Sequence, residues 1–147
     1  MNIFTSLCVA VCFAVLGVSR ILNIKKCTLT LCEAVKFINS VKNNIRFSSM
    51  DYENLINEGK KEGFLYINFN GGVTLSDYAG EKAKHEFSCF VNKIGTTDEE
   101  GQISLCEEYA EKFKVFYKES VSVEKSKVRV IGALSVLSVI CVLILGG

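Results

Sequence analysis

Apolar positions follow two patterns along this chain. At both ends they run on without a charge: Met1–Ser19 and Val130–Gly147 contain no Lys, Arg, Asp or Glu. Between Arg20 and Arg129 they recur at helical spacing instead. Leu31, Val35, Ile38, Val41 and Ile45 mark one face of a helix, with Lys36, Lys42 and Asn43 elsewhere on it. No Gly or Pro follows Gly17 before this stripe, so the helix is predicted to continue from the apolar end without a break. Ser48 or Ser49, followed by Asp51 and Glu53, predicts a helix start and a short helix over Met50–Lys61. The run FLYINF at Phe64–Phe69 has the composition of a strand but no obvious partner, and Asn70-Gly71-Gly72 is a turn signal. Leu75, Ala79, Ala83, Phe87, Phe90 and Ile94 form the next stripe and predict a helix over Ser76–Asn92, ended by Gly95. From Ile103 the pattern becomes heptad-like, through Cys106, Ala110, Phe113, Tyr117 and Ser120. Tyr109, Phe116 and Val121 widen this stripe, which suits a helical bundle better than a two-stranded coil. This last helix is expected to run on through Lys127 into the second apolar end.

The apolar ends have the length of membrane spans. A helix over the first 19 residues reaches roughly 28 Å at about 1.5 Å per residue, near the thickness of a bilayer core. The small residues Gly17–Ser19 would suit a signal-peptide cleavage site, but no basic residue precedes Arg20, which favours a retained helix. The second end is 18 residues long. In it, Gly132, Ser135 and Ser138 are small residues at spacing three, a pattern common in membrane helices and one that permits close helix approach. Arg20, Lys25 and Lys26 follow the first segment, while Lys125, Lys127 and Arg129 precede the second. The outer ends carry no charged side chain, so the positive-inside rule places the middle in the cytoplasm. The predicted fold is therefore all-α: a membrane-anchored antiparallel helical bundle between N- and C-terminal transmembrane helices. Its parts are a first span at 1–22, a cytoplasmic helical domain at 23–127 and a second span at 128–147.

Composition narrows the function classes. The chain has 147 residues, no proline, and 17 basic against 16 acidic side chains for a net charge of +1. That balance argues against a nucleic-acid binder. Seven cysteines without CxxC spacing point to reduced thiols. His85 is the only histidine, and Cys27, Cys32, Cys89 and His85 lack the paired spacing of a structural metal site, so no metal is expected. The sequence contains no phosphate loop, no GxSxG and no HExxH, and it predicts no catalytic residues and no cofactor. Asp98, Glu99 and Glu100 cluster ahead of a helix, where the helix dipole favours acids in any case. They are also the candidate partner-binding surface, with Asp98 as the candidate N-cap.

The run I-G-T-T-D-E-E-G-Q at Ile94–Gln102 resembles the L-G-x-x-D-x-x-x-Q signature of the stage III sporulation protein AB family. Before it stands F-x-x-K-I-G; after it come a charged amphipathic helix, K-V-R-V-I-G-A-L and an apolar tail. The matching motif positions are Ile94, Gly95, Asp98, Gln102 and Gly132, while Ser135 and Val136 stand where the family has a second glycine. Phe87–Gly147 carries the specific similarity and Met1–Ile45 the architectural one. The resemblance implies a non-enzymatic component of the endospore-formation channel, in the membrane of the mother cell of a spore-forming bacterium. It further implies a helical domain similar to those of type II secretion platform proteins. The implied partners are the sporulation ATPase (stage III sporulation protein AA) and other proteins of that complex, with no nucleic acid and no small-molecule substrate. A small membrane adaptor or accessory subunit of another transport or signalling complex is the alternative.

Overall fold

The structure is a computed structural model that describes residues 3–48 and 52–146. It is mostly helical. Helix α1 is Ile3–Ser48, α2 is Tyr52–Lys61, α3 is Glu81–Lys93 and α4 is Glu99–Gly146. Between α2 and α3 lie two short antiparallel strands, β1 at Ile67–Asn68 and β2 at Thr74–Leu75, and a 3-10 turn at Asp77–Ala79. Both long helices are unbroken, with no proline in either, although Gly17 lies within α1 and Gly101 and Gly132 within α4. Ser48 closes α1 and the helix that follows is described from Tyr52. The expected start at Ser49 or Met50 lies outside the described residues.

Two expectations are corrected between residues 64 and 93. The strand-like run does have a partner: Ile67 pairs with Leu75 and Asn68 with Thr74 across the predicted turn, where Gly71 and Gly72 adopt positive φ of 77° and 139°. The helix expected over Ser76–Asn92 starts only at Glu81. Gly80 takes φ 78° and ψ 153°, which stops the 3-10 turn and redirects the chain before α3 begins. Leu75 and Ala79 are buried all the same. A strand end and a 3-10 turn placed them inward, and their spacing imitated a helical stripe.

The chain divides into two compact units. One consists of Met1–Lys25 with Val121–Gly147, the other of Lys26–Ser120. In the first, large apolar side chains face outward: Val9, Phe13, Leu16 and Leu22 of α1, and Val130, Leu134, Leu137 and Ile140 of α4. Among the described residues α1 is the helix long and apolar enough to cross a membrane, within Cys8–Phe47. Gly17 sits against α4, because a Cβ there would lie 2.8 Å from Ser135 Oγ. A Cβ at Gly132 would meet nothing within 4 Å, so the close approach falls on Gly17 and Ser135 and not on the glycine of the motif. Ser135 and Ser138 turn their hydroxyls back to the carbonyls of Ile131 and Ser135.

The second unit has a phenylalanine core. Phe87 is fully buried, with the rings of Phe37, Phe113 and Phe90 at 5.7, 5.9 and 6.2 Å. Phe37 also meets Phe64 and Phe69 edge-on, and Phe90 meets Tyr109. Rings at these separations and tilts gain a quadrupolar attraction beyond the area they bury. The stripe read from Leu31 to Ile45 is buried except Val35, which is half-buried, and Ala34 and Phe37 extend it. Gly59 in α2 is required by this packing, since a Cβ there would stand 2.9 Å from the Phe37 ring and 3.2 Å from Phe69.

Candidate functional site

The connection Ile94–Gln102 is built by local backbone chemistry. At the end of α3 the Ile94 amide donates to the Phe90 carbonyl, and Gly95 follows at φ 81°, a conformation that costs a residue with a Cβ. Thr96 then donates both its amide and its hydroxyl to the Lys93 carbonyl, which satisfies an otherwise orphaned acceptor. Asp98 caps α4: its Oδ1 accepts the Gly101 amide at 3.1 Å, and its carbonyl accepts the Gln102 amide at 2.9 Å. Gln102 Nε2 reaches back to the Thr97 carbonyl at 2.8 Å. A Cβ at Gly101 would lie 2.7 Å from Asp98 Oδ1 and 2.9 Å from Thr97 Oγ1, so a larger residue there would have to displace the capping side chains.

Every motif residue in this turn therefore has a local geometric task. Ile94 is buried, Gly95 makes the reversal, Asp98 caps and Gln102 ties the cap to the turn. Gly132 stands apart from them, in the first unit. The three acids are exposed but not equivalent. Asp98 spends its carboxylate on the cap, whereas Glu99 and Glu100 make no ion pair among the described residues.

A second constellation lies along α1. The arm from Glu62 to Tyr78 follows one face of that helix, held at successive turns. Ser40 donates to Glu62, Glu33 accepts the Leu65 and Tyr66 amides at 3.3 and 2.7 Å, Thr30 meets Ser76 at 3.2 Å, and Lys26 donates to the Tyr78 hydroxyl at 3.1 Å. The Lys26 ammonium also lies over the Tyr78 ring, 4.7 Å from its centroid, and Tyr66 stands edge-on to Tyr78. Beyond the arm, Thr28 and Ser120 bond at 2.8 Å, and Lys42 pairs with Glu107 at 3.6 Å. No family model, curated protein or solved structure matches this chain.

The arm's attachment was not read from the sequence. One signal was available: Glu33 is the first acidic residue of the chain, alone among Lys25, Lys26, Lys36 and Lys42, and the next acid is Asp51. Away from the arm's contacts with α1, Lys84 pairs with both Asp77 and Glu81, at 2.9 and 3.1 Å. Lys112 bonds Glu86 at 2.6 Å and holds that carboxyl below the ordinary carboxylate range. His85 Nδ1 is 3.9 Å from Cys89 Sγ, and Cys27 receives a long bond from Ser120. Among the described residues no three His, Cys, Asp or Glu converge as metal ligands. Cys106 is fully buried, and desolvation pushes its thiol up to about 11.

Proposed function

We propose that this chain is a non-enzymatic, membrane-rooted docking platform. In it the Lys26–Ser120 unit is a cytoplasmic antiparallel helical bundle, and the apolar ends of α1 and α4 are both transmembrane spans. One observation carries the proposal: the division between a unit with outward-facing apolar side chains and no charge beyond Arg20 and Arg129, and a unit with its own phenylalanine core. Apolar surface turned outward on helices of spanning length is stable where the solvent is lipid. The bundle topology is supported by the pairing of α1 with α4, in which Thr28 meets Ser120 and Lys42 meets Glu107, so that numbers rise on one helix as they fall on the other.

The resemblance at Ile94–Gln102 supplies the setting, a stage III sporulation protein AB-like component of the endospore-formation channel in the mother-cell membrane, with the sporulation ATPase as partner. Glu99 and Glu100 are the docking acids, since Asp98 is engaged as a cap. Exposed charges of this kind set partner choice and encounter rate more than raw affinity. The test uses the full chain in nanodiscs to capture the ATPase at two salt concentrations. Glu99→Lys with Glu100→Lys should weaken capture most at low salt. Undiminished capture rejects this site, and nucleotide hydrolysis by the chain alone rejects the platform role. With the seven native cysteines replaced, reaction of Lys60→Cys with an impermeant reagent in intact cells rejects the topology.

A further inference from the structure

The core fixes which face α3 presents to solvent. Phe87 and Phe90 are fully buried and Ala83 is buried with them, so the helix cannot turn about its axis without breaking close packing. On the surface so presented, His85 and Cys89 are one turn apart and lie one above the other. His85 is exposed, Cys89 is half-buried, and His85 Nδ1 stands 3.9 Å from Cys89 Sγ. The carboxylates of α3 nearest to the pair are engaged elsewhere: Glu81 bonds Lys84 at 3.1 Å and Glu86 bonds Lys112 at 2.6 Å. Among the described residues no third His, Cys, Asp or Glu joins the two. The pair therefore offers one sulfur and one imidazole nitrogen, without an oxygen ligand.

We infer that His85 and Cys89 are an open chelating pair for a soft monovalent metal ion, Cu(I), bound through His85 Nδ1 and Cys89 Sγ. The inference does not depend on the platform reading. A zinc-sized ion lies about 2.3 Å from sulfur and about 2.0–2.1 Å from nitrogen. At those lengths sulfur and nitrogen are about 3.5 Å apart around a tetrahedral ion and about 4.4 Å apart across a linear one. The observed 3.9 Å falls between these, so one ion reaches both atoms with little movement of either side chain. Thiolate and imidazole are ligands that soft ions select, whereas Mg2+ and Ca2+ take oxygen. A structural Zn2+ takes four ligands and this pair supplies two, while Cu(I) is content with two. Such a site escapes the test of paired spacing that excluded a structural metal. Binding forms a Cu–S bond and releases the thiol proton to solvent, so thiolate and Cu(I) make a neutral unit. A neutral unit suits a sulfur packed against the hydrophobic core, where Zn2+ would leave a net positive charge.

His85 is the only histidine of the chain, so carbon-13 histidine labelling lets its ring report on the pair without any substitution. The full chain in micelles, kept reduced under argon, would be titrated with Cu(I) up to seven equivalents, one for each thiol. The His85 ring signals should give way to a shifted set, and should return when a stronger Cu(I) chelator is added. Cys89→Ser should lose the shift, with unchanged far-ultraviolet dichroism as the control for folding. Cys89→Ala removes the thiol without placing a hydroxyl against the core, and takes the place of the Ser variant if that one unfolds. Zn2+ at one equivalent should leave the signals where they are. Ring signals that stay in place at seven equivalents of Cu(I) overturn the pair, and so does an equal shift in the variant that lacks the Cys89 thiol. An equal response to Zn2+ and Cu(I) overturns the assignment to a monovalent ion.

Discussion

Glu33→Ala separates a chance contact from a structural clasp. The Glu33 carboxylate accepts the Tyr66 amide at 2.7 Å and the Leu65 amide at 3.3 Å. A hydrogen bond to a charged acceptor is worth about 1.5–3 kcal/mol net, and the longer bond, at an amide exposed to water, belongs at or below the low end. Removing the carboxylate should cost the arm about 2 kcal/mol of local stability, because the half-buried Tyr66 amide loses its acceptor while that of Leu65 can be rehydrated. At 1.4 kcal/mol per decade this is roughly a 30-fold loss of exchange protection. Hydrogen exchange at Leu65 and Tyr66 in the full chain in micelles reads it directly, since exposed segments open locally without global unfolding. Glu33→Gln keeps an acceptor oxygen but not the charge, and should lose only about 5-fold, or 1 kcal/mol. Exchange at Tyr66 that is unchanged in Glu33→Ala refutes the clasp. Equal losses in the Ala and Gln variants refute the part assigned to hydrogen bonding to oxygen.

Three further outcomes are expected. Phe87→Ala should destabilise the Lys26–Ser120 unit by about 3–5 kcal/mol, because Phe87 is the ring shared by Phe37, Phe90 and Phe113; chemical denaturation followed by near-ultraviolet dichroism checks it. Asp98→Ala should cost about 1 kcal/mol as a lost cap, and Gly95→Val should cost more, because a β-branched residue resists a φ of 81°; thermal melts that move with neither change remove the capping account. The Cys106 thiol, pushed from 9.0 to about 11, binds its proton more tightly folded than unfolded. Its contribution is whole below pH 9 and is lost as pH rises toward 11, so Cys106→Ala should flatten the alkaline loss of stability in denaturant titrations between those values.

Local rules were enough for the parts of this protein that are chemically local. Helical spacing from Leu31 to Ile45 and from Ile103 to Ser120 foretold long helices, because one face of each had to be apolar to be buried. The reversal at Gly95 and the cap at Asp98 were legible too, since a positive φ and an orphaned amide turn on residues at most three apart. The charge-free ends announced themselves by composition alone. Only the tertiary structure decided that Phe64–Phe69 is partly a strand, because its partner Thr74–Leu75 is too short to carry a pattern. It also decided where the last stripe breaks, since Leu75 and Ala79 are buried by a hairpin and a 3-10 turn at a spacing that a helix would share. Gly17 and Gly132 look alike in sequence, yet a Cβ at Gly17 would press on α4 and one at Gly132 would press on nothing. Glu33 with Tyr66, and Lys26 with Tyr78, are bonds across 33 and 52 positions of chain. No local preference records such a bond, because its free energy exists only once the core around Phe37 and Phe87 has brought the arm to α1.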